Sequence, residues 1–86
     1  MKKFLAQIRI MPLKELLDPQ GKAVANNISN LDILGVEDVR IGKFIELVLE
    51  AESKSAAEKK VEKACKKLLA NLIMESYEFE LSETGD

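Results

Sequence analysis

Apolar and polar side chains alternate over the first twelve positions of the chain. Phe4, Ala6, Ile8 and Ile10 recur at every second position, and Pro12 follows them. Period two places such a set on one face of a β-strand, and a proline ends a strand or confines it to a sheet edge. The pattern therefore predicts a first strand with one strongly apolar face.

The next periodic segment has the spacing of a helix. Asp18 and Pro19 suit the N-cap and the first helical position, and Gly35 predicts the end of the helix. The apolar positions recur every three or four residues: Val24, Ile28 and Leu31. Gly21 lies in the first turn, where propensity disfavours glycine. We therefore expect that another backbone approaches Gly21 closely.

The segment VRIGKFIELVLEA predicts two strands joined at Gly42. Its apolar positions form two rows, Val39 with Ile41, and Ile45 with Leu47 and Leu49. A two-residue loop of Gly42 and Lys43 suits a type II′ hairpin but places the two rows on opposite faces. A bulge, a three-residue loop with Gly42 in the left-handed region, or one bent strand would each restore a common face.

A second helix and a last strand complete the pattern. Ser55 and Glu58 have the spacing of a capping box. The apolar stripe of this helix comprises Ala57, Val61, Ala64, Cys65, Leu68 and Leu72. The alternation of Tyr77, Phe79 and Leu81 predicts the last strand. Residues 83–86 are expected to form a frayed tail.

The order of these elements predicts one α+β domain over residues 1–82. Strand, helix, strand, strand, helix, strand gives a two-layer sandwich with a ferredoxin-like arrangement: one antiparallel sheet with both helices on one face. Four apolar side chains would then lie on the uncovered face: Leu5, Met11, Phe44 and Val48. An exposed apolar sheet face favours pairing with further copies of the chain, so we expect a homodimer or a homotetramer.

Composition limits the chemistry of these 86 residues. The net charge of −2 disfavours a nucleic-acid binder, which usually carries a basic surplus. The chain has no histidine, the commonest general base and metal ligand. Its one cysteine, Cys65, therefore lacks an activating base and a second soft ligand for zinc. With no N-terminal run suited to a signal peptide or a membrane span, we expect a cytoplasmic protein without its own catalytic or metal centre.

Two short motifs invite a comparison with anion-binding loops. RIGK contains Gly42 and Lys43, but the phosphate-loop signature needs a second glycine and a following helix. A glycine turn between solvated cations is therefore favoured. Contact of Arg40 and Lys43 with an anion or a partner is the alternative. DPQGK has a helix N-terminus and a lysine near it, but a simple N-cap explains Asp18 and Pro19. On the residues alone, an assembly subunit and a ligand-sensing module remain open, because fold alone does not choose between them.

Three stretches of the sequence resemble one family. LLDPQGKAV, VEDVRIGKFIEL and CKKLLANLIMESYEFEL are together similar to PurS, the small subunit of multi-chain phosphoribosylformylglycinamidine synthase. The resemblance extends from about Phe4 to Leu81. It implies a non-catalytic subunit that bridges a glutaminase, PurQ, and a synthetase, PurL, so that ammonia passes between them. ATP and magnesium would then belong to the synthetase subunit, with no cofactor on this chain.

The resemblance also implies roles for particular residues. Five positions match the family motifs and are candidates for docking partner subunits: Gln20, Gly21, Arg40, Lys43 and Asn71. Gly42 is expected to make a turn, and no residue is expected to be catalytic. The alternative is a free-standing ligand sensor of the same fold.

Overall fold

A computed structural model describes residues 1–84 of the chain. The elements are β1 (Lys2–Pro12), α1 (Pro19–Ser29), β2 (Lys43–Ala51), α2 (Lys54–Ala64), a π-helical turn (Cys65–Leu69) and β3 (Glu75–Thr84). Strand β1 is central and pairs antiparallel with β2 on one side and with β3 on the other. The predicted α+β class and antiparallel sheet are therefore confirmed.

The core follows from the alternation along β1. Phe4, Ala6, Ile8 and Ile10 are each at most 1% exposed, because β1 has a strand on either side and α2 above it. Ala57 and Val61 of α2 and Cys65 of the π-helical turn pack onto this face. Burial of this face provides the hydrophobic stabilisation of the domain.

The prediction of a strand and a turn at Gly42 is wrong. Residues 33–42 form neither helix, strand nor turn, and Gly42 does not have a left-handed φ. A Cβ atom on Gly42 would overlap the carbonyl oxygen of Ile10 and the Sδ of Met11. Glycine is therefore required here by the close approach of the chain to β1, and not by a reversal of its direction.

Helix α1 is shorter than predicted and does not reach Gly35. It ends at Ser29, whose Oγ donates to the carbonyl of Asn26 at 2.7 Å, and Asp32 then turns the chain with a φ of 61°. Asparagine and serine compete for backbone hydrogen bonds and weaken a helix. Within residues 1–84, α1 makes no more than marginal contact with the strands, so the expected packing of α1 on the sheet is not made by the chain itself.

Helix α2 begins and ends differently from the prediction. Its N-cap is Ser53, whose Oγ accepts from the Ala56 N–H at 3.1 Å, and not Ser55. After Cys65 the helix widens into the π turn, closed by the Ala70 N–H donating to the Cys65 carbonyl at 3.0 Å. The extra residue per turn rotates the stripe, so Leu68 is 82% exposed although the helical pattern placed it in the core.

Strand β3 extends into the segment that was expected to fray. Glu83 and Thr84 belong to β3 and lie opposite Phe4 and Lys3 of β1. The remaining residues of the expected tail, Gly85 and Asp86, lie outside the described residues.

The protein is elongated for its length. The radius of gyration is 16.8 Å, whereas a compact domain of this size has about 12 Å. The long dimension of 52 Å exceeds an eleven-residue strand of about 36 Å. We call residues 13–42, which include α1 and connect β1 to β2, the arm. The shape and the few contacts of α1 place the arm beyond the end of the sheet.

Candidate functional site

One end of the sheet gathers the termini of all three strands. Strand β1 ends there at Pro12, β2 begins at Lys43 and β3 begins at Glu75. The Lys43 ammonium lies 3.6 Å from the Glu75 carboxylate, and the Leu13 N–H donates to the Met74 carbonyl at 2.9 Å. We call this region the Lys43 end of the sheet. The arm leaves and rejoins the sheet here.

Asp18 fixes the start of α1 to the chain that enters β2. One carboxylate oxygen accepts from the Gly21 N–H at 3.0 Å and the other accepts from the Ile41 N–H at 2.9 Å. The bond from Gly21, then the bond from Ile41 and the nearby charge of Arg40, hold the pKa of Asp18 below its ordinary value. The predicted N-cap is confirmed, and its contact with Ile41 is a second role that local spacing does not reveal.

Gly21 and Arg40 make close contacts that fix the position of the arm. Gly21 is buried, and a Cβ atom there would overlap the carbonyl oxygen of Val39, which confirms the expected close approach of another backbone. The guanidinium of Arg40 donates to the Pro12 carbonyl. These two docking candidates therefore have structural contacts of their own.

Arg40 and Lys43 border an open recess on the outer side of the Lys43 end. Its volume is about 660 Å³. The lining comprises Arg9, Met11, Lys14, Arg40, Gly42, Lys43, Phe44, Ser76, Tyr77 and Glu78. Four cations and one carboxylate face this space, so it favours an acidic partner group.

Lys43 also borders two smaller recesses. One, of about 240 Å³, includes Gln20, and the other, of about 320 Å³, includes Asn71 and Leu17. The structure thus brings Gln20, Arg40, Lys43 and Asn71 around one place, with Gly21 buried behind them. The outermost of these positions, Gln20 and Asn71, are 51 residues apart in the sequence, and the meeting of the strand ends brings them together.

Asn71 organises the turn that leads into β3. Its side-chain oxygen accepts from the Ile73 N–H at 3.1 Å, and its own N–H donates to the Glu75 carboxylate at 2.8 Å. This is the local side chain to backbone bonding typical of asparagine in turns. Asn71 therefore has a structural role in this turn, and docking by its amide stays a prediction.

Sequence reasoning missed several residues at this end. Lys14 borders the large recess and Glu75 pairs with Lys43. Exposed apolar side chains border the recess that Lys43 and Glu75 share: Leu16, Leu17 and Met74. The run from Leu13 to Leu17 was the available signal, since exposed apolar clusters commonly mark interaction surfaces.

The outer sheet face is only partly apolar. Leu5 lies opposite Val48 on the neighbouring strand, and Val48 is 64% exposed. Further along, Arg9 donates to Glu78 at 2.9 Å and to Glu80 at 3.2 Å, bonds that raise the pKa of Arg9. Leu5, Met11, Phe44 and Val48 share this face as predicted, although only Met11 and Phe44 reach the Lys43 end.

Two titratable side chains beneath the sheet, Cys65 and Tyr77, have raised pKa values. Burial raises the pKa of the Cys65 thiol. Tyr77 donates to the Glu62 carboxylate, which raises the pKa of Tyr77 to about 12. Residues 1–84 hold no grouping of three histidine, cysteine or acidic side chains placed for a metal ion. Nor does any helix in that range combine the length and apolarity needed to cross a bilayer.

The fold defines a small α+β domain. The residues of its sequence motifs either fix the position of the arm or border the open recesses at the Lys43 end of the sheet. A family model described as PurS: Phosphoribosylformylglycinamidine (FGAM) synthase matches residues 5–83. The chain belongs to this family.

Individual relatives agree with the family match. The phosphoribosylformylglycinamidine synthase subunit PurS of Synechocystis is 45% identical over 67 residues, covering 78% of this chain and 67% of that protein. Its counterpart in Bacillus subtilis is 43% identical over 72 residues, covering 83% and 84%. A chain in the solved structure of PurLQS from Thermotoga maritima superposes with a TM-score of 0.85 at 34% identity, covering 98% and 100%. These relatives give no support to the sensor alternative.

The double role of Asp18 predicts a graded response to two substitutions. Asp18→Ala removes both bonds and should loosen α1 and the chain before β2, whereas Asp18→Asn retains one acceptor oxygen for the helix cap. Hydrogen exchange of the Gly21 and Ile41 amides would measure this. We expect both amides to lose protection in the alanine variant and only the Ile41 amide in the asparagine variant. Equal protection of Ile41 in all three proteins would contradict the second role.

The same bonds predict a pH dependence in the unsubstituted protein. The folded pKa of Asp18 is lower than its ordinary value of 3.8, so folding favours the ionised carboxylate. The contribution is complete above the ordinary pKa and is lost as the pH falls through the lowered folded value. Protection of the Ile41 amide should therefore persist at mildly acidic pH and disappear only below the ordinary carboxyl range.

Proposed function

We propose that this chain is the non-catalytic subunit that joins the glutaminase and synthetase subunits of phosphoribosylformylglycinamidine synthase. The observation that carries the proposal is the match along 98% of the chain to a chain of a solved PurLQS assembly. The complex converts formylglycinamide ribonucleotide to formylglycinamidine ribonucleotide with glutamine and ATP. ATP and magnesium act on the PurL-type subunit, and the PurQ-type subunit releases ammonia. The location is the cytoplasm.

The chemistry of the surface is consistent with this role. Buried Cys65 is held as a thiol and Tyr77 as a phenol, so neither provides a nucleophile or a base near neutral pH. The recesses at the Lys43 end combine cationic and apolar side chains, which suits docking to an acidic and partly apolar surface of a partner subunit. Further copies of this chain pair through the outer face that contains Leu5 and Val48.

Reconstitution tests the bridging role. Purified chain is mixed with PurL-type and PurQ-type subunits, and turnover is driven either by glutamine or by free ammonia. Removing this chain should sharply reduce the glutamine-driven reaction, because ammonia then escapes to water. The ammonia-driven reaction should change little. Equal glutamine-driven turnover with and without the chain would refute the proposal.

Docking at the Lys43 end is tested with two cation pairs. Arg40 is unsuitable for this test, because its substitution would also remove the hydrogen bond to the Pro12 carbonyl. A loss of docking could then not be separated from a change in the fold. Lys14→Ala with Lys43→Ala removes two exposed charges and, within residues 1–84, one surface ion pair, which contributes little to stability. Lys54→Ala with Lys67→Ala is the control, with the same change in charge at exposed positions elsewhere. We expect weaker complex formation and weaker glutamine-driven turnover only in the first variant; identical behaviour of the two would locate docking elsewhere.

A further inference from the structure

The large recess at the Lys43 end concentrates positive charge on a chain that is acidic overall. The whole chain has a net charge of −2. The recess, of about 660 Å³, is lined by four cations and one carboxylate: Arg9, Lys14, Arg40, Lys43 and Glu78. A concave surface lined mainly by one sign of charge raises the local concentration of ligands of the opposite sign. The recess is therefore suited to an anion.

Two of these four cations already have carboxylate partners. Arg9 donates to Glu78 at 2.9 Å and to Glu80 at 3.2 Å, so its charge is balanced. The Lys43 ammonium has one partner, Glu75 at 3.6 Å, and Glu75 does not line the recess. A partly exposed ion pair at that distance is weak. Lys43 is therefore available to a bound anion, whereas Arg9 is already engaged.

The other two cations, Lys14 and Arg40, form no salt bridge within residues 1–84. The Arg40 guanidinium donates to the Pro12 carbonyl, which orients it, and it retains further N–H donors in a fixed fork. Such a fork matches the geometry of phosphate oxygens. Asp18, the carboxylate close to Arg40, does not line this recess. Lys14, Arg40 and Lys43 therefore offer donors to one anion in the recess.

The same recess has an aromatic and apolar wall. Phe44 is 57% exposed and lies opposite Arg9 in the pairing of β2 with β1. Met11 lies opposite Ser76 of β3, whose side chain is exposed. A nucleic-acid base can stack on an exposed aromatic ring of this kind. The volume also lies within the roughly 300–1,000 Å³ of small-molecule sites, so the recess has room for a ligand that carries both a phosphate and a base.

We propose that the large recess binds a nucleotide. The phosphate group contacts Lys14, Arg40 and Lys43, and the base lies on the ring of Phe44. This is the anion contact of Arg40 and Lys43 that the RIGK motif leaves as an alternative. Binding involves this chain alone and does not depend on bridging between other subunits. Because salt reaches the open recess and screens its charges, the affinity should fall as the ionic strength rises.

Titration of the purified chain with adenosine monophosphate at low ionic strength tests the site, with the chemical shifts of the backbone amides as the measurement. We expect saturable shifts at residues 9–14 and 40–44 and little change along α2, which also presents exposed lysines. Inorganic phosphate and adenosine each supply half of the contacts, so each should bind more weakly. Equal affinities for phosphate and adenosine monophosphate, shifts spread along α2, or no saturable shift would overturn the proposal.

Two matched charge variants and one ring variant locate the ligand. Lys14→Ala with Lys43→Ala should weaken binding of adenosine monophosphate at least about tenfold, because two charged donors are lost. Lys54→Ala with Lys67→Ala changes the charge equally at exposed positions elsewhere and should bind normally.

Phe44→Ala separates the base contact from the phosphate contact. It should weaken binding of adenosine monophosphate and leave that of inorganic phosphate unchanged, while circular dichroism checks that every variant is folded. Equal binding by the two charge variants, or unchanged binding of adenosine monophosphate by Phe44→Ala, would overturn the proposal. These measurements use the lone chain, so their failure would leave the reconstitution result unaffected.

Discussion

Replacing Ile8 with alanine should destabilise the domain more than almost any other single truncation. Ile8 is fully buried at the centre of β1, between Ile45 of β2 and Phe79 of β3. Truncating such a side chain typically costs about 2–5 kcal/mol, a large part of the roughly 5–15 kcal/mol of a typical domain. Chemical denaturation at one fixed protein concentration measures the loss, because association shifts apparent stability.

Leu68→Ala is the matched control for Ile8→Ala. Both substitutions remove a branched aliphatic side chain, but Leu68 is 82% exposed on the π turn. Its effect should stay within about 0.5 kcal/mol, as for most surface changes. The helical stripe in the sequence placed Leu68 in the core and predicts a large cost. A loss similar to that of Ile8→Ala would mean that the π turn is not present in solution.

Gly21→Ala is expected to destabilise the arm, although helix propensity alone predicts the opposite sign. Alanine is favoured over glycine by about 0.5–1 kcal/mol inside a helix. The new Cβ, however, would overlap the carbonyl oxygen of Val39 and crowd the Asp18 carboxylate. A backbone oxygen moves only with its chain, so we expect a net loss of about 1–3 kcal/mol, the usual cost of overpacking.

The loss at Gly21 should be local to the arm. Helix α1 has few contacts with the sheet, so hydrogen exchange in α1 and at Ile41 should accelerate while the β1 amides stay protected. Asn27→Ala serves as the control at an exposed position of the same helix, where alanine should be neutral or slightly stabilising. If Gly21→Ala also stabilises α1, the contact with Val39 does not constrain that glycine.

Local sequence patterns correctly predicted the buried face of the sheet and the start of helix α1. The alternation of Phe4, Ala6, Ile8 and Ile10 defined the buried face of β1, because one strand geometry satisfies that period. Asp18 and Pro19 marked the start of α1, because their side chains suit a helix N-terminus whatever surrounds it. The position of Gly21 also signalled a close backbone approach.

Errors arose where distant contacts override local preference. The hairpin at Gly42 failed because the chain is held against β1 by contacts with Ile10 and Met11, more than thirty residues away. The π turn rotated Leu68 out of the core, since one extra residue changes the direction of every later side chain. Neither effect leaves a periodic signal within a short window of sequence.

For the candidate site, too, some features follow from the sequence and others follow only from the tertiary structure. Sequence by itself determined which residue types were notable, since the motifs containing Gln20, Arg40, Lys43 and Asn71 are contiguous runs of letters. Tertiary structure alone decided that these residues meet where three strand ends converge, and that Arg40 is occupied by the Pro12 carbonyl. The physical reason is that spacing along a chain fixes the face of an element, whereas the meeting of separate elements depends on packing between them.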